Sequence, residues 1–389
     1  TAEPAELGIS DPIAAVLATV AAAEAAQRDR DYAKTHALFA AARAAAQGLT
    51  GYGAPDVGQL AMRELLALAR LGDIDGALRA LGDGTGIAGS WQAPQLALLR
   101  AQLAYGAGRV DEATGAVATA TALMAEIFDY AIEPQLNQLT ALLALQHGDN
   151  AQARTLEEPL ITALLADNPA EILAAVQADH HLPWPEELIV GAAASAHHQG
   201  DTATVRAAAT FLAELARRNP DVAAVTGAHL LVQALSTADF ESALALLRQS
   251  PRQLLLARAD EEHGRSLVDT EDRKAGLDAL DTAHDRYAEL GATAAATRVQ
   301  RILQAAGARR RRWAPIPQRP DHGWDALTDM ERRVALLIAD GHTNRSAAEE
   351  LVLSPSTIST HLRAVFSKLG VHSRVQLANL VRNDNQPAS

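Results

Sequence analysis

The sequence predicts an all-α chain in two parts, a long array of paired helices followed by a small domain of four short helices. Three observations carry this. Of the 389 residues, 48% are apolar but only 4% aromatic. With heavy use of Ala, the strongest helix former, that composition favours packed helices over sheets. A turn pattern recurs along the N-terminal three-quarters of the chain. Beyond a Pro-broken stretch, four short amphipathic segments follow one another, several opened by capping residues.

The array is read from one unit. A helix ends, a small or polar turn follows, and a new helix begins with an apolar residue at the third place and Ala at the sixth. Gly72-Asp73-Ile74 with Ala77, Gly108-Arg109-Val110 with Ala113, Gly148-Asp149-Asn150 with Ala153 and Ala238-Asp239-Phe240 with Ala243 follow this plan. Weaker copies are Arg30-Asp31-Tyr32, Gly200-Asp201-Thr202, and Thr270-Glu271-Asp272 with Ala275. Gly suits a left-handed C-cap. The following Asp complements the positive end of the next helix. Ala at the sixth place lets two helices approach closely. Each pair is then expected to bury its apolar face only against its neighbours. The unit resembles a degenerate tetratricopeptide repeat over roughly residues 10–306, which implies an α-solenoid; an irregular bundle of helical hairpins is the competing reading.

Composition changes near Arg298. From there to Ser389 the chain carries 14 Lys or Arg against 8 Asp or Glu, a formal +6, whereas residues 1–297 carry −19 of the total −13. One end suits a polyanion and the other repels it. Arg309 to Arg312 form a basic run, which fits either a solvated helix end or contact with phosphate. Pro315, Pro317 and Pro320 then break any helix, since Pro lacks an N–H and disfavours helix in the residue before it. Residues 313–324 read as a linker.

In the last segment, Thr328 and Glu331 form a capping box for a first helix with Met330, Val334, Leu337 and Ile338 on one face, stopped by Gly341. A second helix begins near Thr343 and runs through Ala347, Ala348 and Leu351. Ser354 caps the third, with Pro355 at its first position. Ile358, Leu362, Val365, Phe366 and Leu369 make one apolar stripe. The opposite face carries Ser356, Ser359, Thr360, Arg363 and Ser367. Ser373 and Gln376 open a fourth helix with Leu377, Ala378 and Val381. Two short helices, the second with an apolar back and a small-polar front bearing Arg, suit a major groove about 12 Å wide.

Leu327-Thr328, Glu331, Val334, Gly341, Asn344, Ala348, Leu351, Ser354, Thr357-Ile358, His361, Lys368-Leu369-Gly370-Val371 and Arg374 resemble the LuxR-type helix-turn-helix. The resemblance implies a four-helix domain, recognition by the third helix and dimerisation through the fourth. It implies that Ser359, Thr360 and Arg363 face base edges and that Thr357, His361 and Lys368 hold the backbone or the helix geometry, with Ser356 and Arg374 also among the DNA-binding residues. The sequence departs from that pattern at Ser346, where Glu is usual and would close a capping box with Thr343, so that arm is expected to be lost. Ala347 stands where Ile is usual, which implies a thinner core, and Ser356 and Ser359 stand where Lys is often found, which implies weaker binding and a shallower salt dependence. Leu254 through Arg265, then Ala275, Ala283, Tyr287, Leu290-Gly291-Ala292, Ala306-Gly307 and the arginine run resemble the last repeat and junction of large LuxR regulators similar to the maltose-regulon activator. In those an ATPase module precedes the solenoid.

Other chemistry finds little support. Cysteine is absent, which excludes disulfides, zinc knuckles and a thiol nucleophile. Lys occurs only at 34, 274 and 368, never after Gly, so no P-loop is present. Gly84, Gly86 and Gly89 follow a helical segment and read as an inter-helix loop. His180-His181 and His197-His198 lack helical metal spacing and read as surface or helix-end residues. Trp91 and Trp184 read as loop anchors over apolar patches. No run of 18 apolar residues or basic-then-apolar leader is present, so a cytoplasmic protein without a membrane partner is expected. No catalytic residue, cofactor or metal is expected. The sequence thus gives residues 1–312 as a solenoid sensing a small molecule or protein, 313–324 as a linker, and 325–389 as a domain that binds double-stranded DNA as a homodimer. The alternative is a protein-interaction scaffold with a weak or vestigial DNA-binding domain.

Overall fold

The chain divides into two compact units, Thr1–Ala314 and Pro315–Ser389. The structure is a computed structural model. It describes residues 11–50, 52–82, 92–125, 132–155, 159–179, 182–308, 327, 329–351, 358, 362, 365–366, 368–371 and 373–384. Among these residues every extended regular element is α-helical, and no helix is long and apolar enough to cross a membrane. The Gly84–Gly89 segment, Trp91, His180-His181 and the stretch 309–326 lie outside them.

The first unit is a succession of antiparallel hairpins. Its helices are α1 (Pro12–Arg28), α2 (Tyr32–Ala46), α3 (Val57–Arg70), α4 (Ile74–Leu81), α5 (Ala93–Gly106), α6 (Val110–Met124), α7 (Glu133–His147) and α8 (Asn150–Ala153). They continue with α9 (Pro159–Leu165), α10 (Pro169–Ala178), α11 (Pro185–Gln199), α12 (Thr202–Arg218), α13 (Ala223–Thr237) and α14 (Glu241–Leu247). The unit closes with α15 (Gln253–Leu267), α16 (Arg273–Glu289) and α17 (Thr293–Ala305). Most chain neighbours among the described helices pack on one another.

The recurring turn has a common mechanism. Gly72, Gly108, Gly148, Gly200 and Gly291 all take positive φ. At Gly108 the next amide, Arg109 N, donates to Ala104 O (2.9 Å); at Gly148, Asp149 N donates to Ala144 O (2.8 Å). At Gly200, Asp201 N donates to Ala196 O (2.8 Å). These bonds close the last carbonyls of the ending helix, as in a Schellman cap. The Asp that follows then caps the new helix. Asp31 accepts from Lys34 N (3.0 Å), Asp73 from Gly76 N (2.8 Å), Asp149 from Gln152 N (3.0 Å) and Asp201 from Ala203 N and Thr204 N (both 3.1 Å). Each such cap stabilises its helix by about 1 kcal/mol. Arg30 and Ala238 occupy the glycine position with φ 55° and 60°.

Ala77, Ala113, Ala153 and Ala243 are fully buried, as the sixth place requires. Ala275 is not, and the expectation for that copy is corrected. There the buried small residue is the next one along, Gly276. Gly276 packs on Gly264 of α15 so closely that a Cβ on either would overlap backbone of the other helix.

The expectation that hairpins touch only their neighbours is also corrected. Tyr32 N donates to Asn219 Oδ1 (2.9 Å) and Arg30 to Val176 O (2.7 Å). Val110 N donates to Leu290 O (3.3 Å) and Thr293 Oγ1 to His147 O (3.2 Å). The array winds back on itself, bringing α7 against α17. A charged cluster lies in this interior. Arg252, 2% exposed, reaches Glu186 Oε1 (2.8 Å) and Glu187 Oε1 (2.6 Å), and lies 4.1 Å over the ring of Trp184. The indole donates to Gln102 O (3.0 Å), so Trp184 anchors its loop from inside the core. Burial raises the Glu187 carboxyl, and Arg252 opposes that shift. His197 and His198 are exposed at the end of α11.

Candidate nucleic-acid interface

The second unit has its own core. The helices α18 (Asp329–Ala339), α19 (Asn344–Leu351) and α20 (Arg374–Asp384) surround helical residues at 358, 362, 365–366 and 368–369. Ile358, Leu362 and Val365 are buried with Val334, Ile338, Ala347, Ala348, Leu377 and Val381, and Phe366 and Leu369 pack at the margin. The apolar stripe of the third helix is therefore its inner side. Ala347 is fully buried in that core. Each fully buried Ile, Leu or Val contributes about 1.5–3 kcal/mol, enough to fix a short helix that would not stand alone.

The turn between α18 and α19 is held in three ways. Gly341 takes φ 97°, and His342 N donates to Leu337 O (3.0 Å), closing α18. Thr343 N donates to Ser346 Oγ (2.9 Å) while Ser346 N donates to Thr343 Oγ1 (3.1 Å). This is a complete reciprocal capping box, so the expected loss of that arm is corrected: the serine hydroxyl accepts the bond a Glu carboxylate would take. Third, Arg374 at the start of α20 donates through Nη1 to His342 O (3.0 Å) and through Nη2 to Asn344 Oδ1. Two of its N–H groups thus tie α20 to the turn. Gly370, at φ 64°, ends the third helix, with Val371 N donating to Phe366 O (3.0 Å). Gln376 N donates to Ser373 Oγ (3.2 Å), the cap read for α20.

Of the candidate contact residues, Lys368 and Arg374 are described. Lys368 is helical and half-buried, and Arg374 is exposed. Ser356, Thr357, Ser359, Thr360, His361 and Arg363 lie outside the described residues. The Ser346 cap and the Asn344–Arg374 link were missed as a unit, although Asn344 and Arg374 both stand among the residues that carry the family resemblance.

Short helices packed around a common core, with α18–α19 leading into a third helix whose apolar side faces inward, define a helix-turn-helix domain. Residues 325–381 match bacterial regulatory proteins of the LuxR family, and the C-terminal unit is a LuxR-type helix-turn-helix domain.

An HTH-type transcriptional regulator of Mycobacterium tuberculosis is 42% identical over 71 residues, 18% of this chain and 8% of that protein. The response regulator GacA of Pseudomonas aeruginosa is 41% identical over 64 residues, 16% of this chain and 30% of its own length. The transcriptional regulatory protein LiaR of Bacillus subtilis is 41% identical over 54 residues, 14% and 26% of the two chains. The similarity thus covers a small part of each chain. No solved structure matches the chain.

Proposed function

We propose that the chain is a cytoplasmic transcriptional regulator. Residues 325–389 bind double-stranded DNA, residues 313–324 link the parts, and residues 1–312 receive a small-molecule or protein signal. The observation that carries this reading is the buried inner stripe of Ile358, Leu362 and Val365 within a LuxR-type domain. The sequence assigns Ser356, Ser359, Thr360 and Arg363 to the other side of that helix, where hydroxyls and a guanidinium read base edges. Thr357, His361 and Lys368 contact the DNA backbone, Arg374 fixes the turn beside it, and the domain acts as a homodimer through α20. Residues 325–389 carry seven Lys or Arg against seven Asp or Glu, and the basic run Arg309 to Arg312 just before them supplies the cationic excess that supports a polyanionic partner.

The test is fluorescence anisotropy of the full chain on its own promoter DNA and on random duplex across salt. Affinity is expected to fall steeply with salt on both and to be tighter on promoter DNA. In Arg363→Ala the promoter complex is expected to weaken by about 1–3 kcal/mol, with random-duplex binding changed less. No binding to either DNA at low salt refutes the reading, and equal losses on both refute base contact by Arg363.

A further inference from the structure

The first unit holds a cleft of about 460 Å³, open to solvent on one side and lined by α11, α15 and α17 together with α5 and α7. Contacts between α11 and α15 give its axis. Glu186 meets Arg252 (2.8 Å), Gly191 lies beside Arg258 (3.7 Å from its Cβ position to Nη2), and His198 meets Glu262 (2.9 Å). The two helices therefore run side by side in the same direction, and the cleft follows them.

Three guanidinium groups line one stretch of it: Arg258 and Arg265 from α15 and Arg298 from α17. Behind them sits Glu261, fully buried. Its oxygens are saturated. Oε1 accepts from Arg265 Nη2 (3.1 Å) and Arg298 Nε (3.0 Å), and Oε2 accepts from Arg298 Nη2 (2.8 Å) and the Tyr287 hydroxyl (3.1 Å). Burial alone would raise this carboxyl, but Arg258, Arg298 and Arg265 hold it far below the usual range. It is a fixed anion at any physiological pH.

The donors are not saturated. Each guanidinium carries five N–H groups. Among the described residues, Arg258 reaches Glu262 Oε1 (3.4 Å) and Glu261 Oε2 (3.5 Å), both long, and Arg265 Nε is buried with no acceptor. The wall's remaining carboxylates are engaged elsewhere: Asp167 accepts from Ser195 Oγ (2.6 Å), and Glu187 lies 2.6 Å from Arg252. Donors thus exceed acceptors on one wall of a cleft large enough for a small metabolite, where guanidinium forks favour carboxylate or phosphate.

We propose that this cleft binds a small organic oxyanion, a carboxylate- or phosphate-bearing metabolite, through Arg258, Arg265 and Arg298. The proposal rests on the sensing role given to the first unit and names the chemistry of its signal. Arg258 is the donor with most to gain, because its bonds to glutamate are the longest of the three. Glu261 serves as the brace that orders the guanidinium groups before the ligand arrives.

Calorimetric titration of the full chain with sodium pyrophosphate, and separately with citrate, at ionic strength held constant by sodium chloride, tests this. At least one is expected to bind with 1:1 stoichiometry, pyrophosphate preferred for a phosphate ester and citrate for a polycarboxylate. Arg258→Gln leaves Glu261 its closer partners and is expected to weaken binding at least tenfold. Gly191→Leu fills the cleft while keeping every arginine and is expected to abolish binding with unchanged circular dichroism. No heat from either anion, or the same affinity in both variants, overturns the proposal. DNA affinity is measured on the same samples, so loss of the anion site with DNA binding intact is distinct from failure of the regulator reading.

Discussion

Ser346 shows how much one hydroxyl can decide. The reciprocal bonds with Thr343 settle two amides that the start of α19 would otherwise leave to water. Ser346→Ala is expected to destabilise the turn by about 1 kcal/mol, read as roughly fivefold faster amide exchange over residues 343–351. Ser346→Glu is expected to keep exchange within about twofold of the parent, since the longer side chain makes the same bond. Equal acceleration in both variants would remove the capping role. The sequence hides this because a capping box is ordinarily marked by Glu or Gln at that place, and a Ser there lacks the signature. The Arg374 bonds to His342 O and Asn344 were hidden for another reason: one acceptor is a backbone carbonyl, which every residue type supplies.

At the scale of the helix pair, small residues set the spacing. Turn positions were legible because their causes are local: a Gly that tolerates positive φ, then an Asp that caps. The register of the last pair was not, because it is set by the close approach of Gly276 to Gly264 of the preceding helix, which the turn itself does not encode. The contrast makes a test. A Cβ at Gly264 would lie 2.7 Å from Leu280 Cγ and 2.8 Å from Gly276 O, a backbone atom that cannot step aside. Gly264→Ala is therefore expected to destabilise the first unit by about 1–3 kcal/mol, whereas Ala275→Leu, on the exposed side, is expected to stay within about 0.5 kcal/mol. Urea unfolding of both variants reads the difference. The opposite ranking would return the buried position to Ala275.

Over the whole first unit, the inward winding changes the energetics from those of an open array, where stability is a sum over neighbouring repeats. Val110 N on Leu290 O and Thr293 on His147 O join segments about 150–180 residues apart in sequence. Both acceptors are backbone carbonyls, which no residue type marks, so the winding could not be read in advance. Gly291→Ala, which forces a Cβ onto φ 77° and to within 3.1 Å of Asp111, is expected to cost about 1 kcal/mol or more. Amide exchange should quicken in α6 and α7 as well as in α16 and α17. Acceleration confined to α15–α17 would mean the closing contacts carry no energy. The same winding bears on descent. Open arrays lengthen or shorten by duplicating or deleting a hairpin, because any copy can stack on any other. Here each closing contact needs its partner at a fixed distance along the chain, so gaining or losing one pair would displace every contact across the interior at once. Lineages carrying this unit are expected to diverge by substitution within a constant number of helices, with their length changes gathered in the turns that close onto nothing.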